Sequence, residues 1–290
     1  MANSLVIEPF TNQAPPLENL QRARQLATRA LQMDPLYGEA HAVLAHAYFN
    51  LWSWPEAESE FRQALALEPN SAMTHQLYAL FLASQDRFNE AIPSIQRAVN
   101  LAPTSPLISF SACRIHFHAQ RYAEAARFCH ETLPIDPARL QSFLLLSRIA
   151  SLQNNLAQAQ EHLSAWSSRR PSPLLSLWQA YYLAAAGESA AARALLARWE
   201  QTNSSPSPPP LPYGLAKLKL QDFSSGFAAL EQSVQHHLPA SVWLKVTPEL
   251  QPHRHDPRLQ KIFAALHAPN PIPPAASPAA SPTTSPNLAR

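Results

Sequence analysis

From Leu17 onward the apolar positions follow a helical period, and small residues return within it at a fixed interval. Alanine stands at Ala23, Ala57, Ala91, Ala125 and Ala159, each 34 residues from the next. Four residues later come Ala27, Phe61, Ile95, Cys129 and Leu163, and three beyond those Ala30, Ala64, Ala98, Thr132 and Trp166. Steps of four and three place these residues on one face of a helix. Twelve residues past each alanine is a proline: Pro35, Pro69, Pro103, Pro137 and Pro171. Proline has no N–H to donate and disfavours helix in the residue before it, so each one ends a helix.

The stretch before each alanine repeats a second pattern. Leu44, Ala45 and Tyr48 set a large, small, filler order that recurs at Tyr78, Ala79 and Leu82, and again at Leu146, Ser147 and Ala150. Ala112, Cys113 and His116 hold the same places in the fourth unit, so His116 is expected as a neutral, satisfied core histidine. Each unit therefore reads as two helices crossing closely at small residues. The departures at Thr132, Ser147 and Trp166 predict less regular packing in the fourth and fifth units.

After Pro171 the register shifts. Leu174 to Tyr182 and Ala190 to Trp199 make a sixth pair about a turn at Gly187. Tyr213–Leu220 and Ser224–His237 make a degenerate seventh, with Gly214 at the close contact and Gly226 in an alanine's place, a helix-weakening choice. Asp256-Pro257 is a helix start, and Leu259, Ile262, Phe263 and Leu266 give that last helix an apolar face to seal the end of the stack. The chain thus divides into an irregular segment (1–16), a helical stack (17–200), a Pro/Ser-rich linker (201–212), a degenerate pair with a capping helix (213–267), and a Pro/Ala/Ser tail expected to be disordered (268–290).

A 34-residue helix–turn–helix unit with small crossing residues and a closing proline resembles the tetratricopeptide repeat (TPR) family. The resemblance implies an all-α fold, a right-handed superhelical solenoid of antiparallel helix pairs, ending here in a degenerate C-terminal pair and capping helix. Two stretches are similar to something narrower. Trp52-Ser-Trp54-Pro55 through Tyr78-Ala79, and Trp243-Leu-Lys-Val246-Thr-Pro248 through Asp256-Pro257-Arg258-Leu259, resemble the C-terminal TPR half of bacterial winged-helix transcriptional regulators. That half is taken to be sensory or partner-binding. No winged helix or kinase domain precedes the repeats in this chain, so DNA binding is not carried over.

Composition narrows the function classes. Four glycines against 29 prolines leave no material for a phosphate-cradling loop, and the nucleotide, hydrolase, zincin and C-x-x-C motifs are missing. No catalytic residue, cofactor or metal is expected; His253, His255 and Asp256, near His236 and His237, are the weighed metal alternative. The net charge of +2 is too small to indicate nucleic acid. The 12 histidines would make the chain more cationic through roughly pH 6.5. Cys113 and Cys129 read as reduced, buried thiols of a reducing compartment, with a disulfide weighed against that. The start lacks a signal-peptide pattern and no apolar run reaches membrane-spanning length, so the expected location is cytoplasmic.

In a TPR solenoid the first helix of each pair lines the concave face. Helical phase directs His46, Phe49 and Asn50, then Gln76, Leu80 and Ser84, then Phe110, Arg114, Phe117 and His118, and finally Arg148 toward that groove. Arg114 and Arg148 lie one repeat apart. The expectation is a non-enzymatic scaffold whose mildly basic, aromatic groove holds a somewhat acidic, partly apolar protein or peptide segment. The alternatives are a regulator's sensory half whose effector is lost or encoded separately, and a histidine-based metal protein.

Overall fold

The computed structural model of the chain describes residues 17–137, 139–169, 172–202 and 210–267. Expectations for residues 1–16, the fifth ladder proline, most of the linker and the tail lie outside the described residues.

A single helix, α1 (Leu17–Met33), leads the stack. Six antiparallel pairs follow: α2 (Gly38–Asn50) with α3 (Trp54–Leu67), α4 (Ala72–Ser84) with α5 (Phe88–Leu101), and α6 (Pro106–His118) with α7 (Tyr122–Ile135). The rear pairs are α8 (Leu140–Leu152) with α9 (Leu156–Ser167), α10 (Pro173–Ala185) with α11 (Ser189–Thr202), and α12 (Pro210–Lys219) with α13 (Phe223–Gln235). Each helix packs on its pair partner, and the first helices α2, α4, α6 and α8 also touch one another in sequence along the inner wall. The expected all-α, right-handed solenoid is what forms. Helix α12 begins at Pro210, inside the expected linker.

The small-residue rule holds at every front rung: Ala23, Ala57, Ala91, Ala125 and Ala159 are fully buried. At the rear the same position passes to Ala192, 33 residues after Ala159, and then to Gly226, 34 further on. Gly226 is not merely a weak helix residue, as its composition suggests. A Cβ there would meet Leu218 Cδ2 at 2.8 Å and the Gly214 carbonyl at 3.1 Å, while a Cβ on Gly214 would meet the Gly226 carbonyl at 3.0 Å. The two glycines let α12 and α13 approach backbone to backbone.

The turn inside each pair has its own periodic device. Trp52, Asp86, Gln120 and Asn154 take left-handed conformations (φ 59° to 68°) at 34-residue spacing, followed by Gly187 at 84° and Gln221 at 62°. A left-handed residue just past a helix redirects the chain and satisfies the last carbonyls. Only one of the six is the glycine that adopts this conformation without steric cost.

Two of the three departures in the fourth and fifth units are tied down by hydrogen bonds, while Trp166 is buried with no hydrogen-bond partner for its Nε1. Thr132 and Ser147 are fully buried. Thr132 Oγ1 donates to the Phe128 carbonyl (2.9 Å), and Ser147 Oγ donates to the Ala159 carbonyl (2.9 Å) while receiving the Tyr182 hydroxyl (2.6 Å). Polar substitution at the crossing is matched there by specific hydrogen bonds. His116 is buried and stacked on Phe128 at 5.4 Å, and burial lowers its pKa, so it is a neutral core residue. Its Nδ1, however, makes no hydrogen bond, so it is not satisfied.

Cys113 on α6 and Cys129 on α7 are bonded as a disulfide, with Cα atoms 5.2 Å apart. This corrects the reduced-thiol expectation: the close crossing that demands small residues also brings the two sulfurs within bonding reach.

Candidate functional site

The groove formed by α2, α4, α6 and α8 is occupied by the chain itself. After α13, residues 239–253 form two 3-10 helices, Pro239–Val246 and Pro248–His253, and α14 (Pro257–Leu266) follows. The first of these lies against α4, α13 and α14. Trp243, Leu244, Val246 and Leu250 are buried, as a sequence of prolines and apolar residues without helical periodicity must be if it is to leave water.

Three groove side chains hold this inner segment. Arg148 makes two hydrogen bonds to Glu249, Nε to Oε1 at 2.7 Å and Nη2 to Oε2 at 2.9 Å. Its guanidinium lies between Phe117 (4.5 Å to the ring centre) and Trp178 (5.1 Å). Burial opposes its charge, but the Glu249 carboxylate outweighs that and raises its pKa. Arg114 sits over the Trp243 indole at 4.1 Å, and burial with the like charge of Arg148 pushes its guanidinium pKa down. His118 stacks on the other partner of that indole contact, 4.7 Å and 16° from the Trp243 ring, and its Nδ1 meets the Val246 carbonyl at 3.2 Å. Burial, then the two arginines, hold His118 well below the usual histidine range.

The remaining expected groove residues divide in two. His46, Phe49, Asn50 and Leu80 line, with Arg114, Trp52, Pro239, Val242 and Trp243, a cavity of about 30 Å³ that the inner segment leaves unfilled. Burial lowers the His46 pKa to about 4. Gln76, Ser84, Phe110 and Phe117 are buried within the stack. Gln76 donates to Ser111 Oγ on α6 at 2.8 Å, and Ser84 donates to the Phe81 carbonyl at 2.7 Å. Their phase on the first helices is as expected, but neighbouring repeats stack closely enough to enclose them.

The last helix, α14, packs on α13 at the rear end of the stack, as expected of a cap, and also on the inner segment. Its Leu266 carbonyl receives the Trp54 Nε1 hydrogen bond at 3.1 Å, linking positions 212 residues apart. His237 lies 4.5 Å from the Trp52 ring centre, and Arg254 reaches Asp86 at 3.6 Å. The C-terminal part thus runs back across the front repeats. The helix start itself is as read: Asp256 caps α14 by accepting from the Arg258 N–H at 2.9 Å.

Three of the twelve histidines, His46, His116 and His118, are buried. Burial lowers the pKa of His46, His116, His118, His162, His253 and His267, so the expected gain of positive charge near pH 6.5 is reduced. His253 lies edge-on to Phe223 and Phe227, and Asp256 is engaged by Arg258 at 2.7 Å. Among the described residues no three His, Cys, Asp or Glu side chains converge as a metal site would need. No described helix is long and apolar enough to cross a membrane.

Trp178, Trp243 and Glu249 were the site residues that periodicity did not mark. A signal for Glu249 was present: it is the single carboxylate in the otherwise neutral or basic stretch 239–253.

Comparison with known proteins agrees with this architecture. Two tetratricopeptide repeat family models match residues 17–81 and 79–139. Among curated proteins, the type IV pilus assembly protein PilF of Pseudomonas aeruginosa is 32% identical over 80 residues, 28% of this chain. That match spans only 32% of PilF's own length. Among solved structures, the type IV pilus biogenesis factor PilW superposes with a TM-score of 0.59 at 22% identity, covering 71% of this chain and 90% of PilW. A tetratricopeptide repeat protein from Parabacteroides merdae gives 0.61 at 13% identity, covering 86% and 92%. At those identities the likeness is one of fold. Residues 17–139 are thus tetratricopeptide repeats, and the helix pairs behind them continue the same solenoid fold.

Proposed function

We propose that the chain is a non-catalytic scaffold that takes a protein or peptide segment into the groove of α2, α4, α6 and α8, against His46, Phe49, Asn50, Leu80, Arg114, His118 and Arg148, with Gln76, Ser84, Phe110 and Phe117 packed behind them. What supports this reading is that the groove already holds a polypeptide of the expected kind. Residues 239–253 are partly apolar and present an aromatic ring and a carboxylate to Arg114 and Arg148. The partner is then mildly acidic, and the chain needs neither nucleic acid nor cofactor to act. A photo-reactive residue at Asn50, beside the cavity, and one at exposed Gln96 on α5 test the reading in the native host. Cross-links to one partner from position 50 and not from 96 are expected; the reverse pattern would defeat it.

A second reading, the sensory half of a regulator, draws on one observation. The residues that carry the resemblance to regulator halves, 243–259, include those that fill the groove. As to location, the Cys113–Cys129 bond favours an oxidising compartment over the cytoplasm. Fractionation with thiol labelling under non-reducing conditions decides that point.

A further inference from the structure

The geometry points to residues 239–253 being a built-in ligand, held in competition with partner segments that carry an aromatic ring followed six residues later by a carboxylate. This rests on the groove being the partner site, as proposed above, and adds what the site recognises.

The first argument is electrostatic. Arg148 is 6% exposed and flanked by two rings, and its one carboxylate partner comes from the inner segment. A buried guanidinium left without a counter-ion is strongly unfavourable. The groove therefore does not open empty; the inner segment leaves in exchange for another carboxylate. Nearby, Arg114 offers its face to an indole, an interaction that any aromatic side chain can replace. These two sites are spaced by one repeat, and Trp243 and Glu249 match them from six residues apart in the chain.

The second argument concerns how the segment is held. It is a pair of 3-10 helices rather than an α-helix of the stack, and one main-chain link to the groove wall is the His118–Val246 contact. The cavity of about 30 Å³ beside Trp243 shows an incomplete fit at the α2–α4 end. Being tethered through α13 and α14, the segment competes intramolecularly, so a competitor's apparent affinity is reduced to its intrinsic affinity times the fraction of grooves that are open.

The test uses the full-length protein and a fluorescent synthetic peptide of residues 239–253. E249Q and W243A each weaken the internal segment, and both are checked for helical content first. Either variant is expected to bind the peptide at least tenfold more tightly than wild type does. A peptide with both Trp243→Ala and Glu249→Gln is expected to lose binding. Wild-type protein gives an independent readout: excess peptide should speed amide hydrogen exchange across 239–253 and leave α4 and α6 protected. Equal binding of the doubly substituted peptide, or exchange unaltered by excess peptide, overturns the proposal and makes the segment a fixed part of the core. Cross-linking at Asn50 to a partner would still stand in that event, so the two readings fail separately.

Discussion

Arg148 and Glu249, 101 residues apart in the chain, face each other in two parallel hydrogen bonds with side chains only 7% and 1% exposed. The pair joins the inner wall of the solenoid to the segment that fills it. Removing one member strands the other, at a cost of about 3–5 kcal/mol, whereas replacing both by apolar residues is often nearly neutral. R148M is therefore expected to destabilise strongly, and R148M with E249L to recover most of that loss. Urea denaturation of the single and double variants measures both; equal loss in the two would show that the charge itself is not what matters.

Stability should fall on acidification through the buried groove histidines. His46 titrates near 4 when folded against about 6.5 when unfolded, and His118 is lowered in the same direction. Below pH 6.5 the unfolded chain binds protons that the folded chain does not, so stability drops as pH falls toward 4. Each such histidine contributes up to about 1.4 kcal/mol per pH unit in that window. Around His118 the facing groups are the Arg114 and Arg148 guanidinium groups and the Val246 carbonyl, and the cations strengthen the trend. Denaturation midpoints at pH 7.5 and 5.0 test this, with His46→Gln expected to flatten the profile.

Gly214 and Gly226 should not tolerate alanine, although alanine is the better helix former. The added Cβ atoms would lie 3.0 Å from one backbone carbonyl and 3.1 Å from the other. Overpacking of this kind costs about 1–3 kcal/mol, which exceeds the propensity gain of up to about 1 kcal/mol. Thermal melts of G214A and G226A are expected to shift downward; an upward shift would mean that α12 and α13 separate freely.

The left-handed turn residues predict the opposite response. Gln120 has φ 59° and Gln221 φ 62°, and a left-handed L-residue costs roughly 1–2 kcal/mol, partly offset by glycine's greater unfolded entropy. Gln120→Gly is expected to stabilise by about 0.5–1 kcal/mol. Gly187→Ala isolates the same effect with its sign reversed, since a Cβ at Gly187 meets nothing within 4 Å. Paired melting curves of the two variants provide the check.

The Cys113–Cys129 bond closes a loop of 16 residues across one helix pair. Closing a loop of that length stabilises by about 3 kcal/mol in the chain-entropy model. The double serine variant should be less stable by about that amount, and wild type treated with reductant under partly unfolding conditions should match it. An intact mass two hydrogens below the reduced value establishes the bond in protein from its host.

The helix pairs, the close crossings at Ala23 to Ala159 and the cap at Asp256 were legible along the chain, because each rests on residues within a turn or two of one another. The 34-residue period carried that local information unchanged from unit to unit, and the fold class followed from it. All eleven expected groove positions lie on the first helices, and Arg114, His118 and Arg148 among them meet the inner segment, but phase says nothing about what covers a face. That Glu249 meets Arg148, that Trp243 lies between Arg114 and His118, and that α14 returns to Trp54 depend on how far the solenoid curves. Curvature accumulates from small angles at every repeat contact, and no local pattern encodes the sum. The disulfide belongs to the same class: two small core residues sixteen apart read as filler until the closeness of the crossing placed their sulfurs in contact.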